Sequence, residues 1–121
     1  GDNKGFKVVL PNRKSFSPDA AFLIGKRSGM KFIDGAPLFA AEVRSENDYG
    51  KKAEEAIKQK RHDYFAAGTK VVWDVDLLSE EVIKSYTAEN PDTPNIFKRG
   101  EIANAEPALP NWTIEVDELF D

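Results

Sequence analysis

The chain has no cysteine and a single histidine, His62, among its 121 residues. The lack of cysteine excludes disulfides, thiolate zinc sites and cysteine nucleophiles, and one histidine argues against a histidine-ligated metal centre. Any metal bound by this chain is therefore expected to be a hard cation held by oxygen ligands.

Long apolar runs are also missing. No stretch approaches the roughly 18 apolar residues of a membrane-spanning helix, and no charged-then-apolar secretory segment opens the sequence, so we expect a cytoplasmic protein without membrane contact. A net charge of -4 argues against tight nonspecific nucleic-acid binding but leaves a local basic face open. The length and the 40% hydrophobic content predict one folded domain over residues 1–121.

Short apolar runs predict five strands, at 6–10, 19–24, 38–43, 70–76 and 82–86. Asp48 as N-cap and Gly68 as stop signal predict a helix of about 18 residues between the third and fourth strands. A strand, helix and strand in succession form a crossover, so strands 38–43 and 70–76 should be parallel and the fold α/β.

The remaining segments are predicted from their turn residues and polarity. Residues 11–15 and 90–94 are expected to be a turn and a loop, and residues 25–35 a polar excursion. The strand at 82–86 is expected to be an antiparallel edge strand. Residues 117–120 are expected to form a terminal turn that packs back on the sheet.

Two acidic residues, Asp19 and Glu42, fall on predicted strands. Glu42 interrupts an almost continuous apolar run, where a glutamate is costly to bury unpaired. Carboxylates on adjacent strands can converge on one Mg²⁺ or Mn²⁺, with the main-chain carbonyl of Val43 as a further ligand. The alternatives are that Asp19 is a turn residue after Pro18 and that Glu42 lies at an exposed strand end.

Three further side chains can join this group. Lys60 falls on the predicted apolar stripe of the helix, so its ammonium must either reach water or meet a buried negative charge such as Glu42. Tyr64, one turn later, can orient Lys60 or a phosphate, or be a core aromatic. Arg44 shares the sheet face of Glu42, where it can touch phosphate or be solvated.

Several of these segments together resemble the Uma-two family, a bacterial group assigned to restriction endonucleases within the PD-(D/E)XK nuclease superfamily. The similarity runs from about residue 16 to residue 120, and its segments are Pro18-Asp19, Glu42-Val43-Arg44-Ser45, Lys60 with Tyr64, Ala67-Gly68, Val72-Trp73-Asp74-Val75-Asp76, Leu109-Pro110-Asn111-Trp112 and Glu118-Leu119-Phe120. The resemblance implies a restriction-endonuclease-like core with a central mixed sheet.

The resemblance also implies roles for individual residues. Asp19 and Glu42 would be the metal-binding acids, with Val43 offering its carbonyl. The superfamily pattern usually has a lysine two residues after the second acid, where this chain has Arg44, so the lysine role would move to Lys60. Relatives carry an extended N-terminal region whose helix can add another acid, and this sequence is expected to lack it.

The leading hypothesis is a Mg²⁺- or Mn²⁺-dependent endonuclease that hydrolyses DNA phosphodiester bonds. Exposed basic residues of the helix can meet DNA phosphates or simply be solvated: Lys51, Lys52, Lys58 and Arg61. The main alternative is a catalytically inactive module of the same fold that binds nucleic acid or a protein. A third possibility is a homodimer built on Trp73, Phe97 and Trp112, although these aromatics also suit a core.

Overall fold

Nine strands and two α-helices make up the part of the chain that the computed structural model describes, residues 7–9, 19–29, 32–33 and 35–120. In chain order the elements are β1 (Lys7–Val9), α1 (Asp19–Ser28), β2 (Phe32–Ile33), β3 (Ala36–Pro37), β4 (Phe39–Val43), α2 (Lys51–Ala66), β5 (Val71–Val75), β6 (Ile83–Thr87), β7 (Asn90–Phe97), β8 (Ile102–Ala105), β9 (Leu109–Glu115) and a closing 3₁₀-helix (Val116–Phe120).

The central sheet has five strands in the order β1-β4-β5-β6-β7. Strands β1, β4 and β5 are parallel, and β6 and β7 continue the sheet in antiparallel pairing. Two small hairpins, β2–β3 and β8–β9, complete the described part. The predicted α/β fold with a mixed sheet and a strand-helix-strand crossover, here β4–α2–β5, is confirmed.

The sheet separates an apolar layer from a polar one, because successive side chains of a strand point to opposite faces. On one face Ala41 of β4 and Val75 of β5 belong to a buried cluster with Ile24 of α1 and Ile114 of β9. On the other face Glu42 of β4 lies in register with Asp74 of β5, and this face meets α2. Helices α1 and α2 therefore pack on opposite faces of the sheet.

Trp73 is the largest fully buried side chain of the apolar layer. Its ring meets Phe39 edge-on at 4.9 Å and lies 5.8 Å from the half-buried ring of Trp112. Trp112 donates its indole N–H to the carbonyl of Arg27 at 2.8 Å, and Phe97 packs against the same cluster. These aromatics therefore serve the core, which removes the sequence basis for a homodimer.

Helix α2 is rotated from its predicted orientation. The predicted stripe included Lys60, but the buried position is Arg61, which is 8% exposed. The Arg61 guanidinium lies 3.8 Å from the centre of the Tyr86 ring and donates to the carbonyl of Pro91 at 2.8 Å. A cation over an aromatic face is attracted by the ring quadrupole, so this arginine anchors α2 to β6 and β7.

The beginning of α2 also differs from the prediction. Its N-cap is Gly50, whose φ of 99° favours glycine, and not Asp48. The carboxylate of Asp48 instead accepts hydrogen bonds from the main-chain N–H of Ser45 at 2.7 Å and from its hydroxyl at 3.1 Å. Asp48 thus closes the turn that leads from β4 towards the helix.

Other predicted strands and the closing turn are confirmed. The predicted strands at 6–10, 38–43 and 70–76 correspond to β1, β4 and β5, and the predicted terminal turn is the 3₁₀-helix, whose Leu119 is buried. The turn predicted at 11–15 lies outside the described residues.

Four assignments were wrong. Residues 19–24 begin helix α1, because a six-residue apolar run does not distinguish a buried strand from a helix segment. The predicted excursion at 25–35 contains the end of α1 and strand β2. The strand at 82–86 is antiparallel to β5 as predicted, but it is interior, because residues 90–94 begin β7 instead of forming a loop. Proline argues against a strand because it has no N–H to donate, yet Pro91 and Pro94 are compatible with the edge position that β7 occupies.

Neither α-helix of the described residues has the length and apolarity needed to cross a membrane.

The aromatic core yields a stability prediction. Trp73→Ala should lower the free energy of unfolding by about 3–5 kcal/mol, because it leaves a cavity between Phe39 and Trp112 that neighbouring rings fill only in part. Urea unfolding followed by circular dichroism measures the loss. Phe22→Ala, at a side chain that is 66% exposed, is the matched control and should stay close to the wild type; equal losses in both variants would contradict the assignment of Trp73 to the core.

Candidate active site

Glu42 is the point at which β4 and α2 meet. The Tyr64 hydroxyl donates a hydrogen bond to Glu42 Oε2 at 3.1 Å, and Lys60 Nζ lies 3.4 Å from the same oxygen. The Glu42 side chain is 19% exposed and that of Lys60 is 47% exposed. The structure therefore brings three of the predicted site residues together, with the carboxylate half-sheltered and the ammonium reaching both water and the carboxylate.

The environment of Tyr64 keeps its hydroxyl protonated. Burial raises the pKa of Tyr64 well above its ordinary value, and the negative charge of Glu42 and their hydrogen bond raise it further. A tyrosine that holds its proton can only donate to a carboxylate acceptor. Tyr64 is thus a fixed hydrogen-bond donor that orients Glu42.

An open groove of about 560 Å³ runs beside Lys60 and Tyr64. Its walls are Lys60, Asp63, Tyr64 and Ala67 from the α2 side and residues 35–37 from the β3 side. The groove gives the site access to solvent and to a ligand. Its lining carries one cationic side chain, Lys60, and one anionic side chain, Asp63.

Arg44 is neither solvated nor free to touch phosphate, because all five of its N–H groups have acceptors. Nε and Nη2 donate to the two Asp74 oxygens, each at 2.8 Å, and Nη1 and Nη2 donate to Glu54 at 2.6 and 2.9 Å. The fifth bond runs from Nη1 to the carbonyl of Asp48 at 2.9 Å. Arg44 is 6% exposed and joins β4, β5 and the first turn of α2.

The positive charge of Arg44 stabilises the ionised form of its neighbour Glu54. The hydrogen bonds from Arg44 lower the pKa of Glu54, and Arg44 also attracts the carboxylate through space, so Glu54 stays ionised at neutral pH. Tyr49 covers the guanidinium with its ring centre at 5.4 Å and donates its hydroxyl to Asp76 at 2.6 Å. The sequence reasoning missed Asp74 and Glu54; the available signal was Asp74 itself, an acid within an otherwise apolar strand next to the strand of Arg44.

Asp19 begins α1, on the face of the sheet opposite to the one on which Glu42 meets α2. The placement of its carboxylate lies outside what the structure describes. The predicted convergence of Asp19 and Glu42 on one metal ion therefore stays a prediction.

The basic residues of α2 divide into two groups. Lys51, Lys52 and Lys58 are exposed, whereas Arg61 is buried against Tyr86. His62 Nε2 lies 2.7 Å from Asp92 Oδ1, so this neighbour of Arg61 also contacts β7. Arg61 thus has a structural position, and the three lysines are the residues of this set that can reach a phosphate backbone.

The donors at Glu42 are compatible with a hard divalent cation, although the described residues contain no group of three or more His, Asp or Glu side chains arranged to hold a metal. Mg²⁺ is commonly bound by one or two carboxylates, with waters and substrate phosphates completing its shell. Glu42 supplies one such carboxylate at a partly exposed position, and the carbonyl of Val43 is the next main-chain oxygen. The residues present fit part of such a shell.

Arg44 yields a stability prediction. Arg44→Ala should lower the free energy of unfolding by about 3–5 kcal/mol, because it leaves the buried Asp74 carboxylate without its bidentate partner. Urea unfolding at pH 7 measures the loss. Arg99→Ala, which removes an exposed partner of Asp117, is the control and should remain near the wild type; a loss no larger than that of this control would contradict the assigned role.

Glu54 yields a pH prediction. Because its pKa is lowered in the folded state, its ion pair stabilises the protein fully above the unfolded glutamate value of about 4.3 and loses that effect as the pH falls through the folded value. The Glu54 side chain is 53% exposed, so solvent screening limits the loss in Glu54→Gln to about 1 kcal/mol at pH 7. Urea unfolding of both proteins from pH 7 to pH 3 should show this gap shrinking. A gap that persists unchanged at pH 3 would rule out the ionic origin.

The sequence matches one family of known proteins. The model of the Uma2 family, described as putative restriction endonuclease, matches residues 2–117. Searches among curated proteins and among solved structures gave no match. Since the family model covers nearly the whole chain, this protein belongs to the Uma2 family of restriction-endonuclease-like proteins.

Proposed function

We propose that the protein is a metal-dependent endonuclease that hydrolyses phosphodiester bonds of DNA, with its active site at Glu42 and Lys60. The observation that carries this proposal is the meeting of Lys60 Nζ and the Tyr64 hydroxyl at Glu42 Oε2, beside an open groove. Membership of the Uma2 family supports nuclease function at the level of the family.

Each residue has a proposed task. Glu42 and Asp19 would hold Mg²⁺ or Mn²⁺, together with the carbonyl of Val43. When bound, such an ion acts as a Lewis acid and lowers the pKa of a coordinated water, which makes the water a nucleophile at neutral pH. Tyr64 keeps the Glu42 carboxylate in one orientation by donating to Oε2.

Lys60 is the proposed catalytic cation. Its ammonium is partly exposed and lies against Glu42, so it can contact a phosphate that enters the groove while it stays close to the carboxylate. Positive charge fixed beside a scissile phosphate stabilises the negative charge that develops in the transition state. Arg44 cannot take this role, because its N–H groups are committed to Asp74, Glu54 and Asp48.

DNA is the proposed substrate, and a cytoplasmic location agrees with it. The exposed lysines of α2, which are Lys51, Lys52 and Lys58, would meet the sugar-phosphate backbone. Such contacts fix the position of a protein on DNA without reading its sequence. Because the net charge of the chain is -4, this contact has to be local.

A plasmid-nicking assay tests the assignment. The wild type should convert supercoiled plasmid to the open circle with Mg²⁺ or Mn²⁺ and not with EDTA. Glu42→Gln and Lys60→Ala should each lower the nicking rate by about 100- to 1,000-fold, because the first removes a carboxylate that would hold the metal and the second removes a positive charge beside the phosphate. Lys98→Ala, an equal loss of charge at an exposed position after β7, is the matched control and should keep most of the activity.

Mn²⁺ titration by calorimetry separates metal binding, the proposed task of Glu42, from charge stabilisation, the proposed task of Lys60. Glu42→Gln should lose the metal, whereas Lys60→Ala should still bind it. If the folded wild type neither binds Mn²⁺ nor nicks DNA, the nuclease proposal is wrong and the inactive binding module takes its place. If Lys60→Ala nicks as fast as Lys98→Ala, Lys60 has no catalytic part.

A further inference from the structure

The polar layer between the sheet and α2 contains two connections from β4 to the same helix. Glu42 contacts Lys60 and Tyr64, and Arg44, two residues later on the same sheet face, contacts Glu54. Along α2 the six steps from Glu54 to Lys60 span about 9 Å at a rise of 1.5 Å per residue. Helix α2 therefore runs back along β4 and is held to it at two separate points.

The connection at Arg44 is the more rigid of the two. One edge of its planar guanidinium donates two hydrogen bonds to Asp74, and another edge donates two to Glu54, so both contacts are bidentate. Bidentate pairs fix direction as well as distance, which a lysine cannot do. Asp74 belongs to β5, so Arg44 ties the first turn of the helix to two strands at once.

The connection at Glu42 is weaker. Lys60 Nζ is 3.4 Å from the carboxylate, and about half of the Lys60 side chain is exposed. An exposed ion pair of this kind contributes little energy, so it does not hold a helix in place by itself. The position of Lys60 is therefore set by other contacts of α2, which are the burial of Arg61 against β6 and β7 and the contact of Glu54 with Arg44.

We propose that Arg44 is a positioning residue that acts through Glu54: it fixes α2 along β4 so that Lys60 and Tyr64 meet Glu42. This inference rests on the proposed function for its catalytic consequence, although the geometric part stands without it. Arg44 occupies the position after the acid where a catalytic lysine was expected. The arginine thus serves the site indirectly, by placing the lysine of the helix.

Zero-length carbodiimide crosslinking tests the geometry without any need for activity. The reagent joins an amine to a carboxylate in contact, so the wild type should yield the Lys60–Glu42 crosslinked peptide by mass spectrometry. Glu54→Gln, which keeps the Arg44–Asp74 pair, should give that peptide in lower yield, because the first turn of α2 is held less firmly. Glu55→Gln removes the same charge one residue along, at an exposed position, and should keep it.

A second variant guards against simple unfolding. In Arg44→Met/Asp74→Leu both buried charges are replaced by apolar side chains, an exchange that buried ion pairs often tolerate. This variant should unfold at a temperature near that of the wild type and should still give less of the Lys60–Glu42 peptide than the wild type does. A wild-type yield of the peptide in Glu54→Gln, or in the folded double variant, would overturn the proposal.

Kinetics then test the catalytic consequence. In the nicking assay Glu54→Gln should lower kcat by about 10- to 100-fold with KM close to that of Glu55→Gln, because displacement of a catalytic group costs rate more than binding. An unchanged kcat in an active protein would overturn the positioning role. If no variant and no wild-type sample nicks DNA, the proposed function fails, and the crosslinking result alone decides whether Arg44 places Lys60.

Discussion

The bidentate contacts of Arg44 are the constraint on which the polar half of this structure depends. A buried guanidinium needs an acceptor for each N–H group, and here the acceptors come from β5, from the turn after β4 and from α2. Burial of a charge is costly unless it is paired and fully hydrogen-bonded. The arrangement of Asp74, Glu54 and Asp48 is therefore fixed by a single side chain.

The two faces of the sheet are stabilised by different physical interactions. Trp73 and its neighbours bury apolar area against α1 and β9, an interaction that is non-directional and tolerates small shifts. Helix α2 is held by directional contacts, which are those of Glu54, Lys60, Arg61 and Tyr64. Such contacts specify a position more sharply than apolar packing does, which suits a face that carries the proposed site.

The sequence predicted the elements whose signals are local and strong. The crossover was predicted from the apolar runs at β4 and β5 and from the glycine that ends α2. The spacing of Lys60 and Tyr64, one helical turn apart, correctly predicted that both lie near Glu42. Helix α1 was mistaken for a strand because a short apolar run carries no distinguishing period. Strand β7 was missed because two prolines outweighed a pairing that only tertiary structure shows.

The role of Arg44 was beyond sequence reasoning for another reason. Its partner Glu54 is ten residues away and Asp74 is thirty away, so the network exists only after β4, β5 and α2 have come together. Lys60 was expected on the buried stripe, yet Arg61 is the residue whose burial anchors the helix. Lys60 and Arg61 are adjacent on the helix. A pattern of apolar residues does not show which of the two faces the sheet when the inward side of the helix is largely polar.

The prolines of β7 have a consequence for self-association. In the described part of the chain β7 forms one edge of the central sheet, where open main-chain groups invite another copy to add a strand. Pro91 and Pro94 have no N–H to offer, and the carbonyl of Pro91 is already taken by Arg61. This edge is therefore a poor template for the addition of a strand from a second copy.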